Sequence, residues 1–294
     1  MLRITENMSY LTGQQDLARA QYQLALKQRQ ASSGVRVERP SDDPAAAARV
    51  VSLDSERQAM TRCRDNTSSA VAELQAADQG LGAMGDVLLR LRELATAMAS
   101  DQYSASDRAT AAEEVRGLRD QMISLANTRV GEVYIFGGYQ SGTPAVDGTG
   151  NVVADSNIRH VLAAPGLEVE ASVSAVEALD PAGGQDVLAL LDTLASDLQA
   201  DNVNGIRSAV GTLGQCQQQV TSVWARAGIQ LDSLNRIDQI NGDQLTRLDG
   251  QRSTLVEADA VQTLSDLVRA QQTLSGALQV TAQMLSGLSL VDKL

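Results

Sequence analysis

Ser32-Ser33-Gly34-Val35-Arg36-Val37-Glu38-Arg39-Pro40-Ser41-Asp42-Asp43-Pro44 reads as a helix stop, a short extended passage and a helix start. Gly34 can take the left-handed conformation that closes a helix. Val35-Arg36-Val37 has β-branched residues and no helical period. Pro40 biases Arg39 away from the helical region. Asp43 stands where an N-cap belongs, with Pro44 at the first helical position and Ala45–Ala48 continuing the helix. Two helices joined by a rigid connector follow from this stretch, and the rest of the chain extends the same pattern.

The prolines lie at 40, 44, 144, 165 and 181. The long proline-free tracts on either side permit long helices. Over residues 7–33, Tyr10, Leu17, Leu24 and Ala31 recur every seven residues, as do Gln14, Gln21 and Gln28. This stripe is wide enough for a seam and too narrow for a lone helix, so order is expected only when a partner covers it. Over 43–100, Leu53, Met60, Thr67, Val71, Leu74, Leu81, Leu88 and Ala95 form a stripe that also carries Arg57, Arg64 and Asp78. Gly80, Gly82 and Gly85 read as weak points in that helix, each costing roughly 1 kcal/mol relative to Ala. A third helix is expected over 105–129, opened by a capping box of Ser104 and Asp107.

From 130 to 181 the periodicity changes. Val133–Phe136 is a short apolar run stopped by Gly137-Gly138, and Asp147-Gly148 marks a turn. Pro165-Gly166 separates Ile158–Leu162 from the alternating Leu167, Val169, Ala171 and Val173, a hairpin pattern. Helices resume with Val187–Leu198. A long helix then steps by four and three from Ile206 to Leu255, with polar interruptions at Gln217, Asp238, Asn241 and Arg252. Such polar seam positions fix register at some cost in stability. The last helix, 261–288, carries Val261, Leu264, Val268, Leu274, Leu278, Leu285 and Leu288. The fold class is mainly α: an elongated helical bundle or coiled coil formed by N- and C-terminal halves, with a small central β-rich insertion.

Composition narrows the function. The 294 residues include one Trp, one Phe and five Tyr, which leaves Leu, Val and Ala to fill the core and suits thin bundles. A net charge of −12 argues against a nucleic-acid partner. The basic group Arg57, Arg62 and Arg64 is followed by acidic residues and reads as a solvated helix face. Cys63 and Cys216 are too few for a disulfide framework. Residues 1–11 lack a signal-peptide pattern, and no apolar run reaches the roughly 18 residues of a membrane span, so no membrane partner is expected. Gly137, Gly138, Gly142, Gly148 and Gly150 lack the Lys-Ser/Thr ending of a phosphate loop, and His160 has no acid or cysteine at a useful spacing. Asp42 and Asp43 read as helix caps rather than cation ligands. No catalytic, cofactor or metal site is expected, and the protein is not read as an enzyme. The apolar stripes of the two terminal helices remain as the functional signal.

Arg3-Ile4-Thr5-Glu6-Asn7-Met8, Ser32–Val37 and Pro40-Ser41-Asp42-Asp43-Pro44-Ala45-Ala46 resemble the N-terminal region of the flagellin-like family. The proline-flanked form resembles its hook-associated proteins of the hook–filament junction rather than flagellin. Leu125–Arg129 followed by Tyr134–Gly138, and the terminal Leu288–Leu294, fit the same group. The resemblance implies a secreted structural protein of the bacterial flagellum, exported unfolded through the flagellar type III apparatus. It implies a homo-oligomer in a helical ring or tube, with the first hook-associated protein on the hook side and flagellin on the filament side. An export chaperone would cover the C-terminal helix. Residues 1–42 would be an N-terminal assembly helix and connector, and 43–130 and 184–256 the two halves of a helical rod. Residues 131–183 would be a small β-rich outer insertion, and 257–294 a C-terminal assembly helix. The expected assembly residues are Tyr10, Leu17, Leu24, Leu264, Val268, Leu274, Leu278, Leu285 and Leu288. The expected signature and cap are Gly34, Pro40, Ser41, Asp42, Asp43 and Pro44.

Overall fold

The proline-free tracts become long helices. The computed structural model describes residues 2–291, with side chains described for Met8 and for residues 11–283. In chain order the elements are α1 (Leu2–Ser33), α2 (Pro44–Met98), α3 (Ala105–Ala126), β1 (Arg129–Val130), β2 (Val133–Tyr134), β3 (His160–Ala164) and β4 (Leu167–Glu170), then α4 (Ala175–Leu179), α5 (Val187–Gln199), α6 (Val203–Val256) and α7 (Ala260–Val291). The fold is mainly α, as the helical periodicity predicts. Two units are distinguished: residues up to 58 with those from 246 onward, and residues 59–245.

In the second unit the α2 stripe is buried as its spacing predicts. Leu81, Leu88 and Ala95 join Val115 and Met122 of α3, Leu188 and Leu191 of α5, and Leu213 and Val220 of α6 in one aliphatic core. Phe136 is its one fully buried aromatic ring. A Cβ on Gly80 would lie 3.1 Å from that ring, and one on Gly82 would lie 3.5 Å from Trp224. Gly80 therefore has a packing reason: α2 presents bare backbone where the Phe136 ring lies against it, whereas Trp224 leaves ordinary contact distance for a Cβ at Gly82. Cys63 and Cys216 are buried free thiols, and burial pushes the Cys216 thiol up to about 11.

The polar interruptions of the two long helices find each other. In the second unit Arg64 pairs with Asp238 at 3.1 Å, and Trp224 Nε1 donates to Asp78 at 2.7 Å. In the first unit Arg57 pairs with Asp249 at 3.2 Å and Arg252 with Asp54 at 3.0 Å. As the α2 number rises the α6 number falls, which is antiparallel pairing. Partly exposed pairs of this kind contribute about 0–1 kcal/mol each, so their main effect is on register.

Two antiparallel hairpins complete the second unit. Arg129 pairs with Tyr134 and Val130 with Val133; β3 pairs with β4 with a shift between Leu162 and Ala164. This bulge frees the Ala163 carbonyl from the ladder. Asn241 Nδ2 donates to it at 2.7 Å and Thr67 Oγ1 lies at 3.5 Å, so a seam residue from each long helix turns to the hairpin. Ala163 and Ala171 pack with Ala70, Leu74 and Leu234 beneath. Helix α3 opens with the Ser104–Asp107 capping box. It ends at Ala126, short of the expected 129, because Asn127 caps it and pairs both ways with Val146 at 2.9 Å. The short β1–β2 pairing and α4 carry no sequence period long enough to be read in advance.

Candidate functional site

The connector behaves as its residue types dictate. Gly34 has φ +68°, and its N–H donates to Gln30 O at 3.0 Å, closing α1. Asp43 Oδ1 accepts from Ala46 N at 3.0 Å, the N-cap of α2. That backbone bond first, and the Arg36 guanidinium second, hold the Asp43 carboxyl below the ordinary carboxylate value. Asp42 Oδ2 accepts from the Glu38 and Arg39 N–H groups at 3.2 and 2.9 Å, folding the passage over Pro40 and Ser41. The carboxylates of the pair are thus engaged by the chain around them. Among the described residues no group of three or more His, Cys, Asp or Glu could hold a metal ion.

Sequence alone did not indicate what the extended passage pairs with. Val35 bridges Glu257, Arg36 N donates to Val256 O at 2.7 Å, and Ala258 N donates to Gly34 O at 2.8 Å. The connector between α1 and α2 is therefore joined to the link between α6 and α7. Asp259 caps α7, its Oδ1 accepting from Val261 N and Gln262 N at 2.8 and 3.0 Å. The N-cap pattern Asp259-x-x-Gln262 was a readable signal.

From this joint α1 and α7 run antiparallel to each other. Lys27 pairs with Asp266 at 3.1 Å, and Gln30, Ala31 and Gly34 lie near Ala258, Ala260 and Thr263. Among the more covered positions, Gly13, Leu17, Ala20, Leu24 and Lys27 form one series along α1, with Leu26, Arg29 and Gln30 beside it; Thr263, Leu267, Ala270, Leu274, Ala277 and Thr281 form another along α7, with Asp266 beside it. Both series step by four and three, the period of a two-helix seam. Small residues alternate with Leu17, Leu24, Leu267 and Leu274 and leave the seam incompletely filled. A half-open hollow of about 360 Å³ lies between Ala20 and Gln23 on one side and Ala270, Thr273 and Ala277 on the other.

A second set of apolar side chains of α7 stands outside this seam. Val261 is 81% exposed, Leu264 57%, Val268 51% and Leu278 49%. On α1, Met8, Leu11 and Tyr22 are exposed as well. The predicted assembly residues thus separate into two sets: Leu17, Leu24 and Leu274 face the seam, and Leu264, Val268 and Leu278 face outward. The side chains of Tyr10, Leu285 and Leu288, and those of the rest of the terminal motif 288–294, lie outside what the structure describes. Among the described residues no helix is long and apolar enough to cross a membrane.

Comparisons with known proteins agree with this architecture. The bacterial flagellin N-terminal helical region matches residues 4–141. Flagellar hook-associated protein 3 of Escherichia coli (strain K12) is 26% identical over 313 residues, covering 98% of this chain and 98% of that protein. The crystal structure of Xanthomonas campestris FlgL superposes with a TM-score of 0.62 at 18% identity, over 68% of this chain and 99% of that one. The flagellar junction protein FlgL from Legionella pneumophila superposes with a TM-score of 0.57 at 14% identity, over 71% and 99%. At such identities the superpositions speak for the fold, while the full-length sequence match speaks for kinship. Residues 4–141 thus match the flagellin N-terminal helical region, and along nearly its whole length the chain is similar to flagellar hook-associated protein 3.

Proposed function

We propose that this chain is a non-catalytic structural subunit of the extracellular bacterial flagellum, joining hook to filament. One observation supports the reading most. Helices α1 and α7 meet through one stripe, Leu17, Leu24, Leu267 and Leu274 with small residues between, and leave Val261, Leu264, Val268 and Leu278 in solvent. Apolar faces of this kind favour association over a lone soluble chain. In an array of heterologous contacts that do not close on themselves, they become the interface between copies. Leu264, Val268 and Leu278 are the outer contacts to neighbouring subunits, with Leu17, Leu24 and Leu274 supporting them, and Tyr10, Leu285 and Leu288 are further assembly residues by their place in the sequence. The first hook-associated protein is the hook-side partner and flagellin the filament-side partner. Export runs unfolded through the flagellar type III apparatus, with a chaperone over the C-terminal helix beforehand. Residues 1–42 and 257–294 are then the assembly segments, 43–130 and 184–256 the rod halves, and 131–183 the outer insertion.

The test is Leu278→Asp in the full chain. The side chain is half exposed, so the variant retains the Trp224 fluorescence and urea midpoint of the parent. Filament attachment is lost, because a carboxylate cannot be buried unpaired in an apolar interface. Normal swimming and normal filaments in this variant would refute an interface role for the outward face of α7.

A further inference from the structure

Arg36 touches three helix ends. Its N–H donates to Val256 O at 2.7 Å and its guanidinium Nη2 to Leu255 O at 2.8 Å, both in the last turn of α6. Its Nη1 pairs at 3.0 Å with Asp43, the N-cap of α2. Its carbonyl accepts from Gln30 Nε2, in the last turn of α1, at 2.9 Å. Two residues earlier Gly34 O accepts from Ala258 N, just before α7 begins. A cation at the C-terminal end of a helix is favoured by that helix's dipole, and an anion by the N-terminal end. Arg36 and Asp43 meet both preferences in one ion pair.

The α1–α7 seam needs such a fixed point. Glycine, alanine and threonine alternate along it with Leu17, Leu24, Leu267 and Leu274, and Lys27–Asp266 is a charged contact within it. Small side chains bury little apolar surface and specify register weakly. A helix pair of this kind gains order when one end is held, since each further turn then adds contacts without a new closure cost.

We infer that Arg36 makes the ordering of α1 and α7 a single event: it fixes the joint from which both helices pair. It is a positioning residue with no place on the outward apolar face. Its guanidinium acts in two directions at once, toward Leu255 O and toward the Asp43 carboxylate. A lysine ammonium on a flexible stem lacks that planar fork. The inference concerns order within one chain; its bearing on assembly rests on the function proposed above.

Hydrogen exchange on the full-length protein in dilute solution tests this. Arg36→Met keeps the stem and removes every side-chain donor. Amides of 11–33 and of 260–283 should then exchange together, each about fivefold faster, given partly exposed charge-assisted bonds. Arg36→Lys should recover less than half of that protection. The urea transition followed by Trp224, which lies in the second unit, should stay where it is. Three results would overturn the inference: unchanged exchange in both helices, faster exchange in one alone, or an Arg36→Met loss that shifts the Trp224 transition equally. None of them depends on whether Leu278→Asp abolishes filament attachment, so the two ideas fail separately.

Discussion

Gly80 and Gly85 lie on the same helix and invite the same substitution, yet opposite results are expected. In an exposed helix interior Gly→Ala gains roughly 0.5–1 kcal/mol, because the glycine chain loses more freedom on folding. At Gly85 a Cβ meets nothing within 4 Å, so Gly85→Ala should realise that gain. At Gly80 the Cβ falls 3.1 Å from Cζ and 3.2 Å from Cε2 of Phe136, whose ring is fully buried. The ring has to move by a few tenths of an ångström inside a packed core, and overpacking of this kind costs about 1–3 kcal/mol. The steric cost outweighs the propensity gain, giving Gly80→Ala a net loss of about 0.5–2 kcal/mol. Urea unfolding followed by Trp224 reads both variants against one baseline, because all three residues belong to the second unit. A double variant, Gly80→Ala with Phe136→Leu, should lose less than the sum of its parts, since the two share one contact. If Gly80→Ala stabilises as much as Gly85→Ala, the close approach of Phe136 is not a constraint and the packing argument fails.

Arg108 is buried, donates to Met98 O at 3.0 Å and Ser100 O at 2.8 Å, and pairs with Asp201, a non-glycine residue at φ +57°. Arg108→Met should lower stability by about 2–4 kcal/mol, read as a fall in urea midpoint, since charge-assisted bonds to carbonyls at a helix end are lost. A loss under about 1 kcal/mol would mean that water replaces the guanidinium without penalty. The Asp43 carboxyl is held below its ordinary value by the Ala46 N–H and then by Arg36. Its contribution is therefore present above about pH 4 and is lost as pH falls through the lowered value. Protection factors of 11–33 and 260–283, taken against the intrinsic exchange rate at each pH, should fall on acidification, and Asp43→Asn, which keeps the cap but not the charge, should remove the part of that response due to this carboxyl. An identical acid response in the Asn variant would assign it elsewhere.

Residue types and spacing were enough for every feature decided within a turn or two of chain. Gly34 closes α1 and Asp43–Pro44 opens α2, because left-handed φ, a short acceptor side chain and a fixed φ act on their immediate neighbours. The Ser104–Asp107 box and the Pro165-Gly166 hairpin turn are local in the same sense. The flagellin-like signature was legible for this reason too, since it consists largely of such punctuation.

Partners far apart in sequence were settled by three-dimensional packing. The apolar positions of the last helix read as one stripe, yet α7 has two faces. The seam takes Leu267 and Leu274 together with the small residues Ala270, Ala277 and Thr281, while Leu264, Val268 and Leu278 stay outside. A reading that ranks positions by hydrophobicity cannot separate leucines of equal size, whereas packing against α1 sorts them by their angular position on the helix. Gly80 looked like a defect until Phe136, more than fifty residues on, was found against it. The Ala163 carbonyl needed Asn241 and Thr67, and Arg36 needed Leu255 and Val256, contacts that no local period encodes. Local residue chemistry set the stops and starts around Gly34, Asp43 and Ser104 and the buried stripe of α2. The tertiary structure decided where α3 ends, which of the two apolar faces of α7 is covered and which distant groups pair, because steric fit and the pairing of buried polar groups depend on residues that meet only after the chain has folded.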